Sequence, residues 1–481
     1  MTSPATIAPD ADADADTARA PLDFRGGWGA ALIPLGVFLA VSVWFFAVQQ
    51  TFDFLALTAG ALVGLLAGAL FARSPERYWG AVFRGVGSTS SSTIIAILAI
   101  VGMYAQLIKE TGLADGMVWL ATSLGVSGAV FLPFTFVATC LVALSTGSSI
   151  GTMFTIFPVL YTAGVALGTP EALLAGAIVS GAIFGDNLAP ISDTTIISST
   201  SQRFRHRAGV ADISGVVRSR SRYALTAAGV SLVVFVVAGI ASGPATAPSP
   251  AGDPTGLLML LPVIVMLVVA VALRSLFTAI TIGLALGVIT GLLTGLLPAD
   301  GILGADAEGH ATGFLVAGLA AILPTIALVF AVFGIMGVLI ESGIIERLTA
   351  VLVGSRLAST PRGAEAIIAV GTSVVTVAYG GVNSASMATF GPIVDELGAR
   401  VGLHPYRRAN VMDCFAMGLA CVVPLLSAFV FIGAALTDLA PVAVFVGSVY
   451  PLVLTAVMIV AVVTGWGRRF EAADGSPVRA L

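Results

Sequence analysis

Charged residues are scarce in this chain. Lysine, arginine, aspartate and glutamate make up 10% of its 481 residues, against about 25% in a typical soluble domain. Apolar residues make up 57% and the mean hydropathy is +1.03, which is more apolar surface than a soluble domain can bury. This shortage of charge excludes a soluble enzyme, a nucleic-acid-binding protein and a disordered chain. The sequence therefore predicts an all-α, polytopic helical membrane protein whose main partner is the lipid bilayer.

Cysteine and histidine are also sparse, with three of each. Cys140, Cys414 and Cys421 lie in apolar stretches, where we expect buried free thiols with no disulfide or zinc site. The histidines lie far apart, so we assign none of them to a metal. No His-Glu-x-x-His motif occurs. We therefore expect no enzymatic activity and no cofactor, apart from transported ions.

The apolar residues form about 14 runs, and since a membrane span takes about 20 apolar residues, we predict about 10–14 membrane segments. The sequence divides into a disordered tail over 1–28, a first membrane repeat over 29–242, a linker over 243–256, a second repeat over 257–464 and a tail over 465–481. We do not interpret the first apolar run as a signal peptide, because no basic segment precedes it and no clean cleavage site follows it.

Arginine placement predicts the orientation, because short basic loops stay in the cytoplasm. The segment 201–222 is predicted to be a cytoplasmic loop, as is 72–92. The linker 243–256 has no lysine or arginine and is predicted to be extracellular. Both termini are then cytoplasmic, in a multi-pass protein of the cytoplasmic membrane. The arginines of the first of these loops are Arg203, Arg205, Arg207, Arg218, Arg220 and Arg222.

Several short patterns occur twice in the same order. Residues 109–113 resemble 340–344, and Pro190 has a counterpart in Pro424. Each half contains an odd number of apolar runs, so the second half enters the membrane with the opposite orientation. Inverted repeats are typical of secondary transporters, whereas a duplication retained only for packing is the alternative.

Glycines at four-residue spacing occur in both halves. Such small-residue faces let helices approach closely, so we assign them to helix packing or to an oligomer contact, as in a homodimer. The two series are Gly60, Gly64, Gly68 and Gly283, Gly287, Gly291.

The segment 185–195, Gly-Asp-Asn-Leu-Ala-Pro-Ile-Ser-Asp-Thr-Thr, interrupts an apolar run. Pro190 disfavours a continuous helix, and irregular backbone at membrane depth occurs only where it is buried in protein or lines a cavity. Carboxylates there are costly and usually functional, because they can bind a small cation or carry a proton. A surface loop between two spans is the alternative. The predicted cation- and proton-binding residues are Asp186, Asn187, Ser192, Asp193, Thr194 and Thr195, with Na⁺ at Asp186, Ser192 and Asp193.

A second polar break, 145–149, separates two apolar runs and is predicted to be the tip of a re-entrant hairpin. Its counterpart in the second half is 379–386. The counterpart of the acidic break, 422–427, keeps its proline but has no acid, so we expect charge chemistry mainly in the first half. Asp395 and Glu396 are interpreted as loop charges. The hairpin-tip residues predicted to contact substrate or ion are Thr146, Ser148, Ser149, Thr152, Asn383, Ser384 and Ser386, and Asp413 is a secondary candidate.

Residues 185–195 resemble the signature of NhaC-type sodium:proton antiporters, Gly-Asp-x-x-Ser-Pro-x-Ser-Asp-Thr-Thr, with Ala189 in place of the usual serine. Residues 146–152 resemble that family's Thr-Gly-Thr-Ser-x-Gly-Thr stretch. In the second half, Arg408 to Asp413 resembles an Arg-x-x-x-Asp pattern at a slightly different spacing. The resemblance implies cation-coupled antiport by a protein built from inverted repeats with hairpins and broken helices. Proteins similar to this family also exchange organic acids or amino acids with Na⁺ or H⁺.

The leading hypothesis is a secondary active transporter that exchanges Na⁺ or Li⁺ for H⁺ by alternating access. The alternative keeps the carrier class but places a small organic acid or amino acid between the hairpin tips, where helix N-termini favour anions. A channel is disfavoured because pore rings usually come from symmetric subunits, whereas this chain carries its own repeat. A membrane-embedded enzyme is disfavoured because no histidine lies near Ser148 or Asp186 in the sequence.

Overall fold

The computed structural model describes residues 21–49, 53–124, 128–242, 253–273 and 275–480. Nine helices in these ranges are long and apolar enough to span a bilayer. The chain is therefore a polytopic helical membrane protein, as its composition predicts. Residues 1–20 of the predicted tail and residues 243–252 of the predicted linker lie outside the described ranges.

The first half of the described chain is helical almost throughout. A 3₁₀ turn, Trp28–Leu32, precedes the first α-helix, which continues into a π-helical segment over Trp44–Val48. Another π-helical segment, Phe157–Tyr161, joins the helix Ser149–Ile156 to the helix Thr162–Ala166. The α-helices are α1 (Ile33–Val43), α2 (Phe54–Phe71), α3 (Pro75–Val86), α4 (Thr89–Glu110), α5 (Leu113–Leu124), α6 (Gly128–Thr146), α7 (Ser149–Ile156), α8 (Thr162–Ala166), α9 (Glu171–Leu188), α10 (Asp193–Thr200) and α11 (Ile213–Ala241).

The second half adds ten α-helices and two short antiparallel hairpins. Gly304 pairs with Thr312 in the first hairpin, and Phe470 pairs with Val478 in the second. The 3₁₀ segments are Pro254–Met259, Ala299–Gly301, Arg356–Ser359 and Leu419–Val422. The other elements are α12 (Leu260–Leu273), α13 (Leu276–Thr294), β1 (Gly304–Ala305), β2 (Ala311–Thr312), α14 (Phe314–Glu341), α15 (Ile344–Val353), α16 (Pro361–Ala378), α17 (Asn383–Arg400), α18 (Pro405–Ala416), α19 (Ala428–Thr437), α20 (Pro441–Gly447), α21 (Val449–Thr464), β3 (Phe470–Glu471) and β4 (Pro477–Val478).

Both halves contain a broken helix at the position of a matching proline. Pro190 lies between α9 and α10, at the predicted break. The helix ends there because proline has no N–H for the helical hydrogen bond. Pro424 lies in the longer gap between α18 and α19. The helical structure is therefore interrupted within 422–427, the predicted counterpart of the acidic break.

A glycine turn forms the tip of a helical hairpin in each half. Gly147 connects α6 to α7 with φ +66°, and Gly380 and Gly381 connect α16 to α17 with φ +62° and +78°. Each tip packs against the broken helix of its own half, Gly147 against Ile191 and Gly381 against Cys421. The same order of hairpin and broken helix thus occurs twice. The inverted relation of the two halves stays a prediction.

Helices approach closely at glycines inside the chain. Gly102 of α4 faces Gly318 of α14, and a Cβ built on either residue would lie within 2.6 Å of the other's carbonyl oxygen. The glycines that the sequence assigns to packing or to an oligomer contact also have intramolecular neighbours, such as Pro34 for Gly64 and Met266 for Gly283. They serve packing within the chain, and a homodimer stays a prediction.

The predicted N-terminal tail is structured from residue 21. Phe24 is 2% exposed and its ring packs edge-on against Tyr78, while the Leu22 N–H donates to the Glu341 carbonyl. Apolar side chains in this segment cover the ends of the first helices. The folded part of the described chain therefore begins before residue 28, the predicted end of the tail.

The predicted C-terminal tail also folds onto the helices. Strand β3 contains Glu471, whose carboxylate accepts the backbone N–H groups of Arg205 and His206 at 2.7 and 2.8 Å. The ring of His404 lies 3.3 Å from the Gly475 carbonyl oxygen. Burial lowers the pKa of His404 to about 4, so this ring packs in its neutral form. The C-terminal hairpin thereby packs at the end of the protein that contains Arg203, Arg205 and Arg469, which we call the arginine-rich end.

Two predicted loops are partly helical. Helix α11 begins at Ile213 and its N-cap Asp212 accepts the Gly215 N–H at 2.7 Å, so the second part of the predicted loop 201–222 belongs to a long helix. Asp395 and Glu396 lie on α17. Glu396 pairs with Arg400 on the surface, because these residues are one helical turn apart. The loop assignment is therefore wrong for both acids.

We expect Gly176→Leu to disrupt the contact between α9 and α20. A Cβ at this position would lie 1.8 Å from the Gly447 carbonyl carbon, so backbone must move, and overpacking of this kind costs about 1–3 kcal/mol or more. The measurement is thermal unfolding of the purified protein in detergent. Gly229→Leu on α11 is the control, because no atom lies within 4 Å of its Cβ position. Equal melting temperatures for the two variants would contradict the close contact.

Candidate functional site

Asp186 lies in the last turn of α9, directly before the break, and is 3% exposed. The Ser149 hydroxyl donates to its Oδ2 at 2.6 Å, and the Ser192 hydroxyl donates to its Oδ1. The Thr194 hydroxyl lies 2.8 Å from that of Ser192. We call Asp186, Ser149, Ser192 and Thr194 the hydroxyl cluster. Its only polar side-chain atoms are oxygens, which are the ligands that hard cations take in proteins.

The breaks in the chain bring these oxygens together. Ser149 is the first residue of α7, after the turn at Gly147, and Ser192 is the N-cap of α10. The N-terminal ends of both helices therefore lie beside the Asp186 carboxylate, and their partial positive charges favour an anion there. Pro190 cannot donate the helical hydrogen bond to the Asp186 carbonyl. That carbonyl oxygen is a further candidate ligand.

Asp186 has no basic partner among the described residues. Its carboxylate contacts are the two serine hydroxyls, and none of the ion pairs in the described chain includes it. An uncompensated charge buried in protein costs several kcal/mol. The arrangement is therefore chemically complete only when Asp186 carries a proton or binds a cation.

Asp413 is buried nearby but is paired with an arginine. Arg220 Nη1 lies 2.9 Å from Asp413 Oδ2, and both side chains are 0% exposed. Asn187 Nδ2 donates to Asp413 Oδ1 at 2.7 Å, and the Ser198 hydroxyl donates to Oδ2 at 2.8 Å. Asp413, the secondary candidate, thus contacts Asn187, the residue that follows Asp186, and its charge is already neutralised by Arg220.

Arg220 connects three helices around the break. Its Nη1 donates to the Asn187 carbonyl at 2.7 Å and to Thr195 Oγ1 at 3.0 Å. Its Nε donates to Asn410 Oδ1 at 3.2 Å. The Tyr450 hydroxyl donates to Asn187 Oδ1 at 3.2 Å. These contacts fix the ends of α9 and α10 against α18, so Arg220 acts as a positioning residue.

The sequence prediction misses Arg220 and Tyr450. Arg220 stands among exposed arginines in the sequence and is counted there as a loop charge. The residues buried along α11 nevertheless recur at helical spacing, and this period would have placed Arg220 on the buried face. These residues are Val216, Arg220, Tyr223, Ala224 and Ala227. For Tyr450, no local signal distinguishes it from other apolar-run residues.

The six predicted cation-site residues fall into three places. Asp186, Ser192 and Thr194 belong to the hydroxyl cluster, whereas Asn187 and Thr195 belong to the network around Arg220. Asp193 is exposed, and its Oδ1 accepts the Thr194 N–H at 2.8 Å. Asp193 shares no hydrogen bond with Asp186 or Ser192 in the described chain, and the predicted Na⁺ set of Asp186, Ser192 and Asp193 stays a prediction.

The hairpin-tip residues stay within their own halves. Thr146 and Thr152 are joined by a 3.1 Å contact between their hydroxyls, and the exposed Ser148 caps α7 by accepting the Gly151 N–H. In the second half, the hydroxyls of Ser386 and Thr376 lie 3.0 Å apart.

The buried Asn383 amide lies 3.1 Å from the carbonyls of Ala416 and Gly381, to which its nitrogen can donate, and Ser384 is half-buried. Of all the predicted tip residues, only Ser149 contacts Asp186 in the described chain. No hydrogen bond there links the first-half tip to the second-half tip.

Two further ion-pair groups anchor the second half. Asp395 pairs with Arg408 at 3.1 Å and with Arg205 at 2.8 Å, whereas Asp413 pairs with Arg220. Arg407 pairs with Glu365 at 2.8 Å, where both side chains are at most 1% exposed. These pairs hold α16, α17 and α18 together beside the site.

Comparison with known proteins gives one family model, which matches the first half, and several partial relatives. Residues 27–240 match the sequence model of the Na⁺/H⁺ antiporter family. The malate-2H⁺/Na⁺-lactate antiporter of Bacillus subtilis is 30% identical over 211 residues, which cover 43% of this chain and 42% of that protein. The Na⁺/H⁺ antiporter NhaC of Alkalihalophilus pseudofirmus is 32% identical over 169 residues, which cover 35% and 36%.

The arginine/ornithine antiporter ArcD of Halobacterium salinarum is 29% identical over 228 residues, which cover 45% of this chain and 42% of ArcD. The chain thus matches less than half the length of each of these relatives. The matched range includes α9, α10 and the hydroxyl cluster. The first half of the chain is therefore similar to the Na⁺/H⁺ antiporter family and to relatives named NhaC.

Proposed function

We propose that this protein is a secondary antiporter, and not an enzyme, that exchanges Na⁺ or Li⁺ for H⁺ at Asp186. The observation that carries the proposal is a carboxylate buried among hydroxyl oxygens with no basic partner in the described chain. A proton or a small cation can neutralise this group, but binding of one opposes binding of the other. Competition for a single carboxylate produces exchange when the site opens alternately to the two sides of the membrane.

The cation ligands in this proposal come from the hydroxyl cluster. The Asp186 carboxylate supplies the charge, the hydroxyls of Ser149 and Ser192 replace part of the hydration shell, and Thr194 and the freed Asp186 carbonyl complete the set. Asp193 is exposed beside this group and is assigned to attracting cations rather than to binding them directly. Arg220 keeps Asp413 neutralised, so one exchangeable charge remains.

The proposed orientation places the arginine-rich end in the cytoplasm. This end contains Arg203, Arg205 and Arg469, and the positive-inside rule favours it there. Both termini are then cytoplasmic. In this proposal the two halves, related as inverted repeats, move against each other around the site, as is general for carriers of this kind.

The second candidate function is exchange of a small organic acid or amino acid coupled to Na⁺ or H⁺. Two relatives are named as antiporters of malate with lactate and of arginine with ornithine. The N-termini of α7 and α17 at the hairpin tips, with Ser148 and Ser384 partly accessible, are groups that could bind a carboxylate. In this case Asp186 is the coupling-ion site.

We expect Na⁺ or Li⁺ alone to drive proton movement. Purified protein in liposomes with an imposed pH gradient would be pulsed with Na⁺, Li⁺ or K⁺ while an internal pH dye is read. Collapse of the gradient by Na⁺ or Li⁺ supports inorganic antiport. Because proton and cation compete for one carboxylate, the apparent KM for Na⁺ should also rise as pH falls. Proton flux that appears only after malate, lactate or arginine is added would overturn inorganic antiport in favour of the organic-solute exchanger.

We expect Asp186→Asn to reduce Na⁺-dependent proton flux to the level of empty liposomes. The amide keeps the size of the side chain and can contact Ser149 and Ser192, but it binds no exchangeable proton and carries no charge. Glu171→Gln is the matched control, because this carboxylate is exposed at the first turn of the same helix. Wild-type flux in Asp186→Asn, with folding verified by thermal unfolding, would refute the assigned site.

We expect single substitutions in the buried pair of Arg220 and Asp413 to lower the folding stability strongly. Arg220→Gln or Asp413→Asn alone leaves an unpaired buried charge, which costs about 3–5 kcal/mol, whereas the double variant should recover much of this stability. Arg400→Gln is the control, since its surface pair with Glu396 contributes about 0.3–0.5 kcal/mol. Thermal unfolding in detergent measures all four. A melting temperature of Arg220→Gln equal to that of Arg400→Gln would contradict the role assigned to the pair.

A further inference from the structure

A cavity of about 920 Å³ lies at the arginine-rich end and shares no residue with the hydroxyl cluster. It is lined by the beginning of α16, residues that follow the end of α21, one position of α11 and the C-terminal segment. No acidic residue lines it among the described residues. We call it the arginine pocket, and its basic residues are Arg222, Arg362, Arg468, Arg469 and Arg479.

The positive charge of the arginine pocket is not balanced within the described chain. The nearest carboxylate that pairs with its arginines is Glu365, which contacts Arg468 at 2.7 Å and is also paired with Arg407. One carboxylate between two guanidinium groups leaves a positive surplus even there. Within the part of the chain that the structure describes, Arg222 and Arg469 donate only to backbone carbonyl oxygens. A concave surface with this surplus attracts anions.

The geometry of the donors suits a phosphate group. Guanidinium groups present planar pairs of N–H donors that match phosphate oxygens. The N-terminus of α16, with Thr360, Pro361 and Arg362, also borders the pocket. The backbone N–H groups and partial positive charge of a helix N-terminus add to anion binding.

The surroundings of the pocket favour a lipid as the source of that phosphate. Ile459, Val460 and Val463 of α21 are each more than 50% exposed, so an acyl chain can pack along this helix up to its end. Trp466, 40% exposed, lines the pocket directly after α21. Tryptophan is enriched at the headgroup level of membranes, and basic pockets between membrane helices bind anionic headgroups.

We propose that the arginine pocket binds the phosphate of an anionic phospholipid, with the acyl chains lying along α21. The same phosphate chemistry could come from a soluble phosphate, which lacks the apolar part that the exposed face of α21 would accommodate. The pocket also borders the core, because the Trp466 carbonyl accepts hydrogen bonds from Arg407 and Tyr223 at 3.3 and 3.2 Å. A bound headgroup would therefore rest on the ion-pair group that anchors α18.

The test is native mass spectrometry of the full chain, purified in detergent and titrated with dioleoylphosphatidylglycerol or, separately, dioleoylphosphatidylcholine. The test variant is Arg362→Gln/Arg479→Gln, because both side chains are exposed and line the pocket. The control variant is Arg25→Gln/Arg218→Gln, which removes the same charge from exposed positions outside the pocket. A third arm adds inorganic phosphate to the phosphatidylglycerol complex.

We expect phosphatidylglycerol adducts on the wild type and the control, with affinity lowered about 25-fold in the test variant, at roughly fivefold per arginine. Phosphatidylcholine should bind weakly to all three. Equal phosphatidylglycerol affinity in test and control variants, or equal binding of both lipids, would overturn the proposal. Displacement of phosphatidylglycerol by an equal concentration of inorganic phosphate would overturn the lipid assignment in favour of a soluble phosphate. None of these readouts depends on transport activity.

Discussion

The cost of an uncompensated charge inside a membrane protein governs the arrangement of this site. Two carboxylates, Asp186 and Asp413, lie buried about the same break, and each is satisfied differently. Asp413 has a permanent partner in Arg220, so its charge belongs to the structure. Asp186 has only hydroxyl partners in the described chain and must obtain its counter-charge from outside it. In the proposed function, this difference separates Asp186, which exchanges ions, from Asp413, which helps to hold the site in shape.

The irregular backbone follows from the same constraint. A continuous α9 would satisfy every backbone group internally and would present few ligands to an ion. The proline at 190 ends the helix at membrane depth, and Arg220 takes up the Asn187 carbonyl that the break exposes. The second half repeats the break at Pro424 without an acid, so it supplies packing and the Asp413 pair instead. The proposed function therefore places one charged exchange site, in the first half, within this repeated architecture.

The sequence predicts the membrane class, the break and Asp186, Ser149 and Ser192, because a polar cluster beside proline within an apolar run is costly unless it forms a buried site. It does not predict that Arg220 is buried in the site, because Arg220 stands among arginines that are assigned together to a cytoplasmic loop. It also does not predict that Asp193 is exposed whereas Asp186 is buried, since proximity along the chain does not reveal which way each carboxylate faces. The ion pair of Asp395 with Arg205 joins residues 190 positions apart, and no local pattern encodes such pairing.

The separation between Arg220 and its partners on α18 has a consequence for how the protein is made. Asn410 lies 190 residues after Arg220 in the chain. At a translation rate of about 5–20 residues per second, Arg220 waits roughly 10–40 s before that partner is synthesised. During this time its guanidinium group must remain in the aqueous or headgroup region, because the carboxylate that neutralises it, Asp413, has not yet been synthesised. Final seating of α11 therefore follows insertion of the second half, and the first half alone is an incomplete folding unit.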